Sequence, residues 1–297
     1  MSFTGLDPLL PEPGAPAGER VHARVPEDGR EVTAVLYRAK LPAGTVERLF
    51  SPARTWEITP LLDAGDAAGL RALLPAVRIR LLTERPGPDS ACVLAWPSLD
   101  APVVRPLLRH GFLPRTALGV RTGPAPPVPH RPAGLVVRPA SAGDLEELLA
   151  LEVAELRYAS LVGTATVLDN AAALLEPGLR RMLVEGRVWL AEADGLAVGM
   201  VSTRCLLPEA GGALANRLPG GRWGHISTAS VAEHARGTGV GRALLDVAHR
   251  ELLRSGVRGT FLFYNPCNPL SPVFWHRQGY RPLWTIWDVT PAGEMRA

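Results

Sequence analysis

Apolar positions in the second half of this 297-residue chain switch repeatedly between strand and helix spacing. LVVRPAS, from Leu135, predicts a strand, and Ser141 then stands as a helix N-cap ahead of Leu145, Leu148, Leu149, Val153 and Leu156 at helical spacing. RVWLAEADGLAVGMVSTRC, from Arg187, predicts two strands around a tight Asp194-Gly195 turn. A Gly-rich connection over 208–222 leads to another strand, GHISTASV, and then to RGTGVGRALL, from Arg236. The helix that follows buries Leu244, Val247, Ala248 and Leu252 on one face. Thr260 to Tyr264 predicts a further apolar strand, followed by a short helix from about Pro269 to Gln278 and a last strand around Leu283 to Val289.

The first half carries the same ending. DAPVVRPLLRHGFLP, from Asp100, aligns with NPLSPVFWHRQGYRP, from Asn268, at an offset of 268 − 100 = 168. At that offset Gly111 meets Gly279, Phe112 meets Tyr280 and Pro114 meets Pro282. Upstream, CVLAWP meets TFLFYNP as apolar strands. The pattern is that of an internal repeat. Between the halves lies TGPAPPVPHRPAG, whose five prolines remove backbone donors and favour an extended linker. The predicted organisation is a frayed Pro- and Gly-rich tail over 1–20, one domain over 21–121, a linker over 122–134 and a second domain over 135–297.

Composition narrows the class. A chain of this length with 46 % apolar residues can bury two cores. Net charge is +3, with 32 basic and 29 acidic residues spread evenly, so nothing calls for nucleic acid or an anionic membrane. Lys40 is the sole lysine, and the wealth of Arg, Ala, Gly and Pro matches a GC-rich bacterial genome. Cys92, Cys205 and Cys267 lie far apart without metal-ligand spacing, which predicts free buried thiols in a reducing compartment and no metal. The chain shows neither a signal peptide nor an apolar run long enough to span a membrane, so a cytoplasmic protein is expected.

RGTGVGRALL is the chemically distinctive stretch. A glycine-rich turn between strand and helix aims unpaired backbone N–H groups and the positive end of a helix dipole at one point, which suits a phosphate. A nucleotide P-loop needs Lys followed by Ser or Thr close behind its glycines, and Arg242-Ala243 stand there. The dinucleotide fingerprint needs a third glycine or alanine at 242 or 244, where Arg and Leu stand. What fits is Arg236-x-x-Gly239-x-Gly241, which resembles the pyrophosphate loop of GCN5-related N-acetyltransferases. Asn268-x-x-Ser271-x-x-Phe274-Trp275-x-x-x-Gly279-Tyr280 resembles the second signature of that family. In the first half the loop would fall near AGLRAL, from Ala68, without spaced glycines, so that copy is expected to be degenerate.

The resemblance implies two α/β domains, each a mixed, largely antiparallel twisted sheet flanked by helices. It implies acetyl-CoA as co-substrate, a small-molecule amine as acceptor, and a monomer or homodimer. Two central strands splay, and the pantetheine arm pairs with the free edge at Ser230 and Val231, whose N–H is the natural oxyanion donor. Gly237, Thr238, Gly239, Val240, Gly241 and Arg242 would hold the pyrophosphate, with charge added by Arg236 and Arg242. Asn268 would contact the pantetheine arm or position the next helix. The family's usual acid is a tyrosine at the position of Trp275, which cannot supply that proton. His225, Tyr264 and Glu233 with its neighbour His234 are the substitutes to weigh. Glu155 and Tyr158, three apart, share a helix face that could bind the amine, together with the connection 208–222. Trp56 and Trp96 are either core or the wall of an acceptor pocket between domains. Two rivals remain open: an acyl-CoA-binding regulatory module without turnover, and a tandem-domain aminoacyl transferase using charged tRNA.

Overall fold

The computed structural model describes residues 1–12, 14, 16–123, 132–209 and 214–297. The N-terminal half contains α1 (Phe3–Leu6), β1 (Glu19–Arg24), β2 (Glu31–Lys40), β3 (Arg54–Pro60), α2 (Ala67–Thr83), β4 (Ser90–Pro97), α3 (Ala101–Arg109) and β5 (Leu113–Arg121). The C-terminal half contains β6 (Leu135–Pro139), α4 (Leu145–Leu161), α5 (Ala171–Val184), β7 (Val188–Ala193), β8 (Leu196–Leu206), β9 (Trp223–Val231), α6 (Val240–Arg254), β10 (Gly259–Tyr264), α7 (Ser271–Arg277) and β11 (Arg281–Val289).

All of these strands belong to one mixed, mostly antiparallel sheet in the order β1-β2-β3-β4-β11-β5-β10-β9-β8-β7-β6. The internal repeat is visible in its register. Strands β5 and β11 begin 168 residues apart, at Leu113 and Arg281. Glu57 faces Val93 across β3 and β4, and His225 faces Phe261 across β9 and β10, at the same offset. The halves exchange their last strands: β5 pairs with β10, β11 pairs with β4, and the two exchanged strands pair with each other at the centre. Consequently, neither 21–121 nor 135–297 closes its own sheet. Most of the expected linker, 124–131, lies outside the described residues.

The exchange follows from burial. β4 reads SACVLAWP and is buried almost throughout, and β5 is fully buried from Ala117 to Arg121, so both need neighbours on each edge and layers on each face. Arg121 then ties β5 to α6. Its guanidinium only donates, so His249 Nδ1 must accept (2.6 Å), and His249 Nε2–H is left to donate to the Tyr280 hydroxyl (2.9 Å). Burial first, then the Arg121 charge, holds the His249 pKa down at about 3, keeping the ring neutral.

Three sequence expectations need correction. Residues 1–12 are docked: the Phe3 ring meets Trp96 and Trp284 edge-on, Leu10 is buried, and buried Asp7 pairs with Arg281 of β11. Phe3 and Leu10 provide apolar anchors that overcome the Pro- and Gly-rich composition. Helix α5 is an added element, with Leu175, Leu179 and Met182 buried at helical spacing on either side of an interrupting Pro177-Gly178. The cysteines are free, but Cys92 is buried whereas Cys267 is exposed. Trp56 and Trp96 are core residues, their ring N–H groups donating to Glu84 and Asp100. Among the described residues no helix is long and apolar enough to cross a membrane.

Candidate active site

A bulge opens the sheet. Along β8 and β9, Ser202 faces Thr228 but Thr203 faces Ile226, which leaves Ser227 as an extra residue on β9. At that point β9 leaves β10: the two pair only from Trp223 to His225 against Gly259 to Phe261, and β9 runs six residues further. Ala232 N–H donates to Val198 C=O at 2.9 Å, so ladder alternation turns the Val231 N–H and C=O away from β8, into the wedge.

The glycine loop closes one face of the wedge. Gly237 and Gly239 have φ of 79° and 97°, which side-chain-bearing residues rarely adopt. A Cβ at Gly241 would meet Phe274 at 3.3 Å and Val231 at 3.4 Å, so glycine lets α6 approach the end of β9. α6 starts from Gly239 without a side-chain cap, while Thr238 donates back to Ala235 C=O at 2.7 Å and Val240 is buried. Arg242 lies in the first turn of α6. Arg236 stacks over the Tyr158 ring at 4.7 Å and donates to Val231 C=O at 3.3 Å. Asn268 Oδ1 accepts from the N–H groups of Leu270 (2.9 Å) and Ser271 (3.2 Å) and from the Tyr158 hydroxyl (3.5 Å). It thus positions the start of α7. Arg236, Tyr158 and Asn268, far apart in sequence, meet here.

Helix α4 covers the other face. A capping box of Ser141 and Asp144 sets the turn that leads into it, and Leu148, Leu151 and Leu156 bury its apolar side. Glu152, Glu155 and Tyr158 follow at three-residue spacing. The Thr228 hydroxyl donates to Glu152 Oε1 (3.0 Å), and Ser230 donates to Leu151 C=O (2.8 Å), which fixes α4 over β9. Glu152 is 8 % exposed, and its Oε2 has no hydrogen-bond partner among the described residues. Burial raises its pKa. Burial and then the Glu152 charge push Glu155 up to about 7. Glu152 escaped the sequence reading, although the Glu-x-x-Glu-x-x-Tyr spacing marks one helix face.

The other candidates fare differently. His225 stacks flat on Phe261, 4.6 Å between centroids, and its Nδ1 meets the Ser227 hydroxyl at 3.1 Å. Burial, then the Arg204 charge, lowers its pKa to about 3, too weak for a base at neutral pH. Tyr264 is buried, its hydroxyl sits 3.0 Å from His276 Nε2, and burial pushes its pKa up to about 12. Glu233 and His234 lie exposed on a short turn before the glycines. Trp275 is buried against Phe274 and Tyr280, so the missing acid is replaced by packing. Of the connection 208–222, residues 210–213 lie outside the described residues; Leu214 and Leu218 pack in the cluster that holds Phe261, and Arg217 pairs with Glu57 at 3.3 Å. A separate cleft of about 360 Å³ opens where the halves meet, lined among others by Arg48, Asp89, Arg115 and Thr166.

A sheet wedged open at a bulge, with a glycine-started helix on one face, is the distinctive geometry of the C-terminal half. Residues 184–282 match the family model described as the acetyltransferase (GNAT) domain. That match spans about a third of the chain, and over the rest the likeness is one of fold. A GCN5-related N-acetyltransferase from Sphaerobacter thermophilus shares its fold, at 16 % identity and a TM-score of 0.55 over 89 % of this chain and 79 % of that one. Two more distant likenesses are a GCN5-related N-acetyltransferase from Kribbella flavida (17 % identity, TM-score 0.47, 94 % and 91 % covered) and a tandem GNAT protein from the clavulanic acid biosynthesis pathway (16 %, 0.46, 88 % and 80 %). No curated protein matches the chain in sequence.

Proposed function

We propose that the C-terminal half transfers an acetyl or other short acyl group from CoA to the amine of a small molecule by direct attack in the wedge. The observation that carries this reading is the pairing of an inward-facing Val231 N–H with buried Glu152 and half-buried Glu155 on the helix that covers β9. Gly237, Gly239 and Gly241 bring backbone N–H groups and the α6 dipole to bear on the pyrophosphate, with Arg236 and Arg242 adding charge. The free edge of β9 at Ser230 and Val231 receives the pantetheine arm as an added strand. A bound acyl-CoA supplies the thioester carbonyl that the amine attacks.

The chain's own residues then divide the work. An amine with a pKa near ~10 arrives protonated, and Glu155, with a pKa of about 7, is the base that takes its proton. Glu152 holds the ammonium before transfer through its unpaired Oε2. Val231 N–H donates to the carbonyl oxygen as negative charge builds on it. Tyr158 keeps Arg236 and Asn268 in register with the loop. Water protonates the departing thiolate, because Trp275 has no acidic proton and Tyr264 is engaged with His276. The N-terminal half supplies β5, which pairs with β10 on the edge away from the wedge. A cytoplasmic setting, where acyl-CoA is at hand, fits this reading.

Two measurements test this. Acetyl-CoA should raise the melting temperature as its concentration passes Kd, and amines should accelerate release of free thiol. A shift without release on any amine would favour the regulatory module. No shift at all would sink the donor site.

A further inference from the structure

Phe263 lies on a central strand of the sheet, yet its side chain is 45 % exposed. The cause is the wedge: β9 has already left β10 two residues earlier, so no strand covers this side of Phe263. Its ring shares a face with Phe261 and His225, which lie directly opposite each other. The three rings form a continuous wall, Phe261 to His225 at 4.6 Å, His225 to Phe263 at 6.0 Å and Phe261 to Phe263 at 6.1 Å. His225 belongs to that wall as a neutral aromatic surface, since burial keeps its proton off. Beyond the bulge the same face carries Thr228, which donates to Glu152, so wall and carboxylates border one opening.

The repeat supplies a control within the molecule. At the offset of 168, His225, Phe261 and Phe263 correspond to Glu57, Val93 and Ala95. Ala95 is 9 % exposed and pairs with Ile286 of β11. The half without a glycine loop has no aromatic ring at these positions, and the counterpart of Phe263 is buried. At these three positions, aromatic rings occur only in the half with the glycine loop, and there Phe263 alone of the two phenylalanines is exposed.

We infer that the acceptor is a primary amine carried on an aromatic or extended apolar body, the body lying on Phe263 and the wall behind it and the ammonium reaching Glu152 and Glu155. This rests on the acyl-transfer reading above. Phe263 is then a specificity-determining residue, since burying a ring on it removes apolar surface from water. A polyol or polycationic amine would set its polar groups against that wall unpaired.

The test is thiol release from acetyl-CoA with 2-phenylethylamine, hexylamine, spermidine and glucosamine as acceptors. The first two should give kcat/KM at least about tenfold above the others. F263A should cost the apolar amines about tenfold, chiefly through KM, while F263Y keeps the ring and the preference. Faster reaction with spermidine or glucosamine would overturn the inference, as would an F263A loss shared equally by all four amines. If no amine releases thiol, the acyl-transfer reading fails. Melting temperature with 2-phenylethylamine then decides on the wall alone: a rise lost in F263A upholds it, and no rise overturns it.

Discussion

The turn after β3 and the turn after β9 stand at corresponding places in the repeat, and they treat the start of the following helix in opposite ways. At α2 the protein supplies its own anions. Asp66 accepts from Gly69 N–H at 2.8 Å and is held by Arg30, while Asp100 accepts from Gly65 N–H and the Trp96 ring N–H, each at 2.8 Å. At α6 no side chain caps the helix, and Gly239 carries the start. The sheet agrees: β3 and β4 stay paired from Arg54 to Ile58 without a bulge beside β2, whereas β9 and β10 part after three pairs. One helix start is capped by the protein's own carboxylates and the other is left without a side-chain cap, the arrangement that the proposed donor site requires.

The sharpest break of this comparison is at the glycines. G239V/G241V puts side chains where φ is 97° and where Phe274 and Val231 leave 3.3–3.4 Å. Strain of about 1–3 kcal/mol per residue, with blocked approach of the main chain, predicts acetyl-CoA affinity down on the order of 1,000-fold by calorimetry. Circular dichroism should still report a folded sheet. Unchanged affinity would remove α6 from the donor site.

The second difference is the carboxylate pair that α4 carries, Glu152 and Glu155. E155Q should lower kcat/KM about 100-fold, the usual scale for a general base. Wild-type kcat/KM should rise with pH through about 7 as Glu155 loses its proton, and E155Q should lack that limb. Stability should move the other way. A carboxyl raised from 4.5 to about 7 is harder to ionise in the fold, so its contribution is lost as pH climbs between those values. At pH 8, E155Q should be more stable than wild type by about 1–3 kcal/mol in urea titrations. A variant that is slower and also less stable at pH 8 would mark Glu155 as structural.

Local patterns were the legible part of this molecule. The Asp194-Gly195 hairpin, the α7 helix and the glycine loop each announce themselves within about a dozen residues, because turn chemistry and helical periodicity are short-range. The repeat also survives in sequence, through Gly111 and Gly279, at φ of 88° and 83°. The strand exchange does not, because β5 and β11 are apolar on both faces and such strands accept many neighbours. The carboxylate pair was half legible: Glu155 and Tyr158 show as a helix face, but Glu152 acquires meaning only when Thr228 arrives from 76 residues away. Tyr264 was misleading for the same reason, since its partner His276 is set by how α7 packs.

On the capped side, D100A should leave acetyl-CoA affinity as in wild type while costing stability. Asp100 is 3 % exposed and satisfies both the Gly65 and the Trp96 N–H groups. Removing it strands the buried Trp96 donor and frees the Gly65 N–H, so a loss of about 1–3 kcal/mol is expected in denaturant melts. A weakened CoA affinity in D100A would mean that the two helix starts are coupled through the shared sheet.

D66A is the mildest probe, because it removes only a cap and a partly exposed ion pair. The cap is worth about 1 kcal/mol, and the Arg30 pair, with the arginine well exposed, adds little beyond it. Asp66 is held below its ordinary pKa, first by Arg30 and also by the Gly69 N–H. A depressed carboxyl stabilises the fold above its unfolded pKa near 3.8 and loses that contribution as pH falls through the folded value. The gap between wild type and D66A should therefore be full at pH 7 and close as pH falls well below 3.8. α6 offers no such group, so replacing its uncapped start should produce no pH-dependent stability change of this kind. If D66A cost the same at every pH, the carboxylate at α2 would be acting through packing alone, and the contrast between a self-capped and an open helix start would rest on Asp100.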